Sequence, residues 1–207
     1  MIQDIAPKKF HNEFQLKKPN ENDRIAVFLE NNILIKEKDS HWQLPKRAEI
    51  ENVLGHSLTV DTYLFCIDQD SYYLYSDDPG AWDDTKTDFR WVKMSGLRAH
   101  ADRELCFVVY TAYHLYQWYK NHRFCGRCGA KTVPDVKERM LSCKECGNQI
   151  YPRIAPAVIV AVTNGDKILL TKYANREYKR YALIAGFTEI GETAEDTVRR
   201  EVMEETG

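Results

Sequence analysis

The sequence predicts an α+β protein: a β-rich amino-terminal region ending in a long helix, a four-cysteine segment, and an α/β segment closed by an acidic helix. Three observations predict it. Short β-branched and aromatic runs separated by polar turns fill residues 1–95. Two C-x2-C pairs lie within residues 121–150. Apolar runs at 155–163 and 181–187 precede a helix-capping signal at Thr193 and Asp196.

The 207 residues, 43% hydrophobic and 29% charged, suffice for one large or two modest domains with real cores. A formal net charge of −2 argues against a broad electrostatic grip on nucleic acid or on a membrane. The opening MIQDIAPKKF lacks the apolar centre of a signal peptide. No run approaches the ~18 apolar residues of a membrane span. A cytoplasmic protein with no membrane partner is expected.

In the amino-terminal region, RIAVFLENNILIK with a turn at Asn31-Asn32, then TYLFCI, SYYLYS and FRWVKM, predict an antiparallel, mostly β domain. Asp77-Asp78-Pro79-Gly80 predicts a turn. Residues 97–120 keep an apolar helical period, so one helix is expected there. Its Tyr110, Tyr113, Tyr116, Trp118 and Tyr119 read as core or as an interface. Cys66 and Cys106, alone in apolar contexts, read as small buried hydrophobes. Farther on, APAVIVAVT at 155–163 predicts a strand buried on both faces. Asn164-Gly165 predicts a type I′ hairpin returning through KILLTKY, and YALIAGF predicts one more strand before the last helix. Three domains follow: residues 1–120, 121–150 and 151–207.

Cys125, Cys128, Cys143 and Cys146 form C-x2-C-x14-C-x2-C. Two such knuckles can place four thiolates tetrahedrally, the donor set that Zn²⁺ prefers. Disulfides fit a reducing cytoplasm poorly, and a redox C-x-x-C needs no matching second pair. With all four ligands supplied by protein, the ion is structural. Basic residues cluster in the segment, but Glu138 and Glu145 interrupt them. A solvated charged knuckle is preferred to nucleic-acid binding on that evidence.

The last helix is expected to start near Thr193, with Ala194, Val198 and Val202 as its apolar stripe. Glu201 and Glu205 then fall beside the stripe, one turn apart, where like charges repel. Glu204 lies slightly outward, within reach of Arg200. Helix geometry leaves two readings. One is an ordinary acidic surface helix. The other is a site for Mg²⁺ or Mn²⁺, hard cations that favour carboxylate oxygens.

Gly186, Glu192, Arg200, Glu201, Val202, Glu204, Glu205 and Gly207 fill the pattern G-x5-E-x7-R-E-U-x-E-E-x-G, which resembles the Nudix hydrolase box. A double C-x2-C segment, then YPRIAPAVIVAV, then LIAGFTEIGET and the box, in that order, looks like the NADH pyrophosphatase family, which includes enzymes that remove NAD caps from RNA. The resemblance is strong over 120–207 and faint before it. It implies the first part of an α/β/α Nudix sandwich preceded by a zinc ribbon. It implies hydrolysis of a dinucleotide pyrophosphate, giving nicotinamide mononucleotide and AMP, assisted by Mg²⁺ or Mn²⁺. By resemblance, Glu201, Glu205 and the carbonyl of Ala185 are metal ligands, Glu204 belongs to the metal cluster, and Arg200 orients Glu204. Tyr151 and Glu138 match substrate contacts, Arg90 of FRWV matches a third more loosely, and the family implies a homodimer.

The chain ends inside the box, before the family's later strands, a downstream metal-ligand glutamate and the SQPWPFPxS-type segment. The expectation is a shortened form of a longer enzyme, weakly active or inactive alone. The competing function is a zinc-ribbon sensor that binds a nucleotide or RNA without cleaving it.

Overall fold

The computed structural model describes every residue except Met1, Ser40, Asp61, 76–87, Tyr173 and 175–179, so the turn expected at 77–80 lies outside the described residues. The chain divides into two compact units, Met1–Pro152 and Arg153–Gly207. The fold is mixed α+β.

The first unit begins with β1 (Phe10–His11), β2 (Arg24–Ala26), β3 (Phe28–Leu29), β4 (Asn32–Lys38) and β5 (His41–Gln43). Helix α1 (Arg47–Leu54) leads to β6 (Thr62–Ile67), β7 (Asp70–Leu74) and β8 (Phe89–Lys93). One sheet has the order β1-β6-β7-β2; the other joins β3, β5 and β8 around β4. The antiparallel expectation fails at one edge, where β2 pairs parallel with β7. Strand propensity carries no direction, so the packing of distant segments decides this. β4 shows why both faces are covered: Ile33 and Ile35 point into one core, Leu34 into the other. The β3–β4 turn uses Glu30 and Asn31, with Glu30 at φ 52°, one residue earlier than Asn31-Asn32.

Helix α1 was not anticipated. At its start the Lys46 N–H donates to Glu49 Oε2 at 2.8 Å, and Gly55 ends it in the left-handed conformation. Its Ile50 is fully buried beside Ile25, Leu34 and Tyr73.

The helix expected over 97–120 is two: α2 (Leu97–His100) and α3 (Arg103–Asn121). Asp102 separates them because its carboxylate accepts from the Leu105 N–H at 2.7 Å, an N-cap that starts a new helix. From α3, Leu105, Val108, Val109, Ala112 and Leu115 enter the core that holds Ile33, Ile35, Phe65 and Leu74. Phe107, Tyr110, Tyr113, Tyr116 and Tyr119 of α3 pack against that core. Trp118 is buried, Phe28 stacks on Tyr116, Tyr110 donates to the Met94 carbonyl and Tyr113 donates to Asn31 Oδ1. Cys106 is buried and Cys66 half-buried, and burial pushes both thiols up. A three-stranded ribbon closes the unit: β9 (Thr132–Pro134), β10 (Leu141–Cys143) and β11 (Gln149–Ile150), all antiparallel.

The second unit holds β12 (Ala157–Val160), β13 (Thr163–Asn164), β14 (Lys167–Ile168), β15 (Ile184–Phe187) and α4 (Ala194–Thr206). The strand expected over 155–163 is broken into β12 and β13. It is not buried on both faces: Ile159 is 74% exposed. β12 pairs antiparallel with β15, placing Val158 opposite Gly186 and Ile159 opposite Ala185. The hairpin turns at Gly165-Asp166, with Gly165 at φ 61°, because Asn164 pairs with Lys167 inside the ladder. Among the described residues, no helix is long and apolar enough to cross a membrane.

Candidate functional site

The four cysteines converge. Cys125 Sγ lies 3.6 Å from Cys146 Sγ and Cys128 Sγ 3.4 Å from Cys143 Sγ, with all four within 4.8 Å of one another. Metal–sulfur bonds of about 2.3 Å in a tetrahedron require sulfurs about 3.8 Å apart. The donor set and its spacing therefore fit Zn²⁺. Each knuckle repeats one turn: Gly129 N–H donates to the Cys125 carbonyl at 2.8 Å, and Gly147 N–H to the Cys143 carbonyl at 3.0 Å. Gly129 at φ 77° and Gly147 at φ 71° occupy backbone that a side chain strains; Gly126 does not. Backbone N–H groups of Arg127 and Cys128 hold the Cys125 thiol down to about 6.

On the same unit, the Tyr151 hydroxyl donates to Glu138 Oε1 at 3.2 Å. Tyr151 follows β11 directly and is 49% exposed, so the ring is open to a ligand. Arg90, on β8, is engaged differently. Its Nη2 lies 2.6 Å from Glu37 Oε2, and its guanidinium stands 4.5 Å over the Trp42 ring.

On the second unit, Thr193 caps α4 as expected, in a capping box with Asp196. The buried face differs from the expected stripe: Thr197 is fully buried, Val198 and Val202 are half-buried, and Ala194 is exposed. Thr197 tolerates burial because its hydroxyl bonds Glu192 Oε2 and the Thr193 carbonyl, each at 3.0 Å.

Arg200 is the hub of this unit. Its Nε donates to Glu192 Oε1 at 2.7 Å and its Nη2 to Glu192 Oε2 at 3.0 Å and to the Phe187 carbonyl at 2.9 Å. Its Nη1 donates to Glu201 Oε1 at 2.7 Å and to Glu204 Oε2 at 3.2 Å. The bidentate pair with Arg200 pulls Glu192 down to about 2, and the same contacts push Arg200 up. Sequence reasoning named Glu192 only as a motif position and assigned it no role. Its spacing from Arg200, across the loop before α4, was the available signal.

Glu201 is drawn inward, its side chain 13% exposed, and Glu204 is 59% exposed. Glu205 and Ala185 are exposed. A Cβ on Gly186 would meet Glu201 Cδ at 1.8 Å, so the carboxylate occupies a cradle that only glycine leaves open. Arg200, Glu201 and Glu204 are thus brought together. Among the described residues, only the four cysteines form a group of three or more metal-ligating side chains already placed to hold an ion. The hard oxygens of Glu201, Glu204 and Glu205 suit Mg²⁺ or Mn²⁺ in kind.

Two family models match the chain. Residues 120–151 match the NADH pyrophosphatase zinc ribbon domain and residues 153–207 match the NUDIX domain. Similar curated proteins are each named NAD-capped RNA hydrolase NudC. The one from Stutzerimonas stutzeri is 36% identical over 166 residues, covering 78% of this chain and 55% of that protein. The one from Enterobacter is 45% identical over 93 residues, covering 45% of this chain and 36% of the relative. The one from Pseudomonas syringae is 49% identical over 88 residues, covering 42% and 32%. The chain thus spans about half or less of the length of the relatives it matches. The paired cysteine knuckles fall within the first matched segment and Gly186 and Glu201 within the second, and together the two matches and these relatives support the NADH pyrophosphatase family of Nudix proteins for residues 120–207.

Proposed function

We propose that the protein carrying this chain is a hydrolase that cleaves the pyrophosphate of NADH- or NAD-type dinucleotides, releasing nicotinamide mononucleotide and AMP, and that the same chemistry serves NAD-capped RNA. The observation that carries this is the carboxylate arrangement of α4: Glu201 seated over Gly186 and pinned by Arg200, with Glu204 on the same guanidinium. A Mg²⁺ or Mn²⁺ ion, when bound, supplies charge neutralisation at the diphosphate and lowers the pKa of an attacking water. Glu201, Glu205 and the Ala185 carbonyl are the ligands in this proposal. Arg200 holds Glu201 in one rotamer. On the first unit, Tyr151, Glu138 and Arg90 are the proposed substrate contacts: Tyr151 offers an exposed ring for stacking, and Glu138 offers acceptors. The proposal includes a homodimer.

The second reading, binding without cleavage, is favoured by the exposed positions of Glu204 and Glu205. One experiment separates the two. NADH and NAD-capped RNA are offered with Mg²⁺ or Mn²⁺ to the protein and to its Glu205→Gln variant, and binding and products are measured. Cleavage by the unsubstituted protein, with binding kept and cleavage lost in the variant, is expected. Binding without products in either form establishes the sensor, and indifference to both cations ends the hydrolase proposal.

A further inference from the structure

The turn that carries Glu138 is held by a residue no motif contains. Between Tyr63 and Phe65 the β6–β7 register shifts, so Leu64 is the extra residue of a β-bulge and has no partner in β7. On its other edge, β6 pairs with β1 only at Ile67 and Cys66, and β1 ends at His11. The Leu64 carbonyl is therefore left off the ladder in a fully buried residue, where an unpaired acceptor is costly. Arg139 Nη2 donates to it, and Nη1 donates to Asn12 Oδ1 at 2.9 Å. The guanidinium thus closes the gap where β1 stops covering β6. Burial of this cation pushes its pKa down, a cost that the two acceptors offset.

Arg139 adjoins Glu138, and apart from the Tyr151 bond to Glu138 the other hydrogen bonds of the turn between β9 and β10 lie within it among the described residues. Asp135 Oδ1 accepts from Lys137 N–H at 2.7 Å and from Glu138 N–H at 3.3 Å, and Met140 N–H donates to the Glu138 carbonyl at 2.8 Å. These bonds shape the turn without attaching it to the sheet. We propose that Arg139 is a positioning residue for substrate: it docks the ribbon turn on the bulge of β6 and so presets Glu138 against the Tyr151 hydroxyl. The inference rests on Glu138 and Tyr151 being substrate contacts. The two acceptors that Arg139 bonds belong to Asn12 and Leu64 and not to Tyr151 or Glu138, so it acts on recognition by holding the turn.

The test uses the zinc-loaded protein with Arg139→Ala, Arg139→Lys and Asn12→Ala. Two readouts are taken: hydrogen exchange at the amides of 137–140, and KM and kcat for NADH. Arg139→Ala is expected to speed exchange there and to raise KM about fivefold to tenfold, the scale of one net intramolecular hydrogen bond, with kcat within about twofold. Arg139→Lys and Asn12→Ala are expected to fall between, since each keeps one of the two bonds, and they stand in if Arg139→Ala does not fold. Unchanged exchange in Arg139→Ala overturns the docking. Faster exchange with unchanged KM, or an equal fall in kcat and kcat/KM, overturns the positioning role. If the unsubstituted protein neither binds nor cleaves NADH, the substrate reading fails and the positioning role with it; the exchange data then decide the docking alone.

Discussion

The carboxylate of Glu201 lies against the α-carbon of Gly186, so close that an added Cβ would stand 1.8 Å from Cδ and 1.9 Å from Oε1. β15 and α4 approach through this contact, and it sets where the Glu201 carboxylate sits. Gly186→Ala forces the carboxylate off the strand and away from Arg200 Nη1. A loss of stability of about 1–3 kcal/mol is expected, the usual cost of overpacking. Glu201→Ala in the same background should restore most of it, because the clashing atoms are gone. A double-mutant cycle of urea midpoints checks the coupling, and additive effects would show that the contact is not the cause.

The Glu192–Arg200 pair makes a statement about acid. Glu192 titrates at about 2 in the folded protein against an ordinary 4.5. Its folded value is depressed, so its contribution is complete above about 4.5 and is lost as pH falls from there toward 2. Arg200 stays charged throughout that window. Glu192→Gln should therefore lower the unfolding midpoint at pH 6 and have little effect near pH 2. Denaturant titrations of both forms across that range measure the difference, and a gap that does not shrink with acid would contradict the assignment.

Zinc removal is expected to unfold the ribbon. Among the described residues, the segment from β9 to β11 has few buried apolar side chains besides its cysteines, chiefly Met140 and Leu141, so the metal must supply much of its order. A strong chelator, or Cys143→Ser, should abolish one bound zinc per chain and release amide protection across 121–150. The sheets of the first unit, with their own cores, should stay folded. Metal analysis with hydrogen exchange reports both at once.

Asp102→Ala removes the cap that separates α2 from α3. A cost of about 1 kcal/mol is expected, seen as a drop of a few degrees in Tm. Cleavage of NADH should be unchanged, since the Asp102 side chain accepts from the Leu105 N–H at the start of α3 and is none of the proposed substrate or metal contacts. A fall in kcat/KM beyond what the folded fraction explains would show that α3 is tied to the site.

Much of this architecture was legible before any coordinates. The cysteine knuckles are local: two C-x2-C turns, each closed by a glycine in left-handed backbone, carry their geometry in a handful of residues. The Thr193 cap is local too, since Thr193 and Asp196 satisfy each other within one turn. The Nudix pattern named Gly186, Arg200 and Glu201 without saying why they belong together. Where local reading failed, it failed for definite reasons. Helix α1 hides in RAEIENVL, whose single buried isoleucine gives a weak period, although Glu49 and Gly55 mark its ends. The 97–120 helix looked continuous because Asp102 can sit in a helix or begin one, and only its bond to Leu105 shows which.

Short-range chemistry thus sufficed for the metal knuckles, the helix cap and the identity of the acidic motif, because their partners lie within a few residues and the backbone brings them together at little entropic cost. Long-range packing settled the rest: the parallel edge between β2 and β7, and the reach of Arg139 to a carbonyl 75 positions earlier in the chain. Those pairings depend on which buried polar groups the folded core leaves without partners, and no stretch of sequence read alone contains that information.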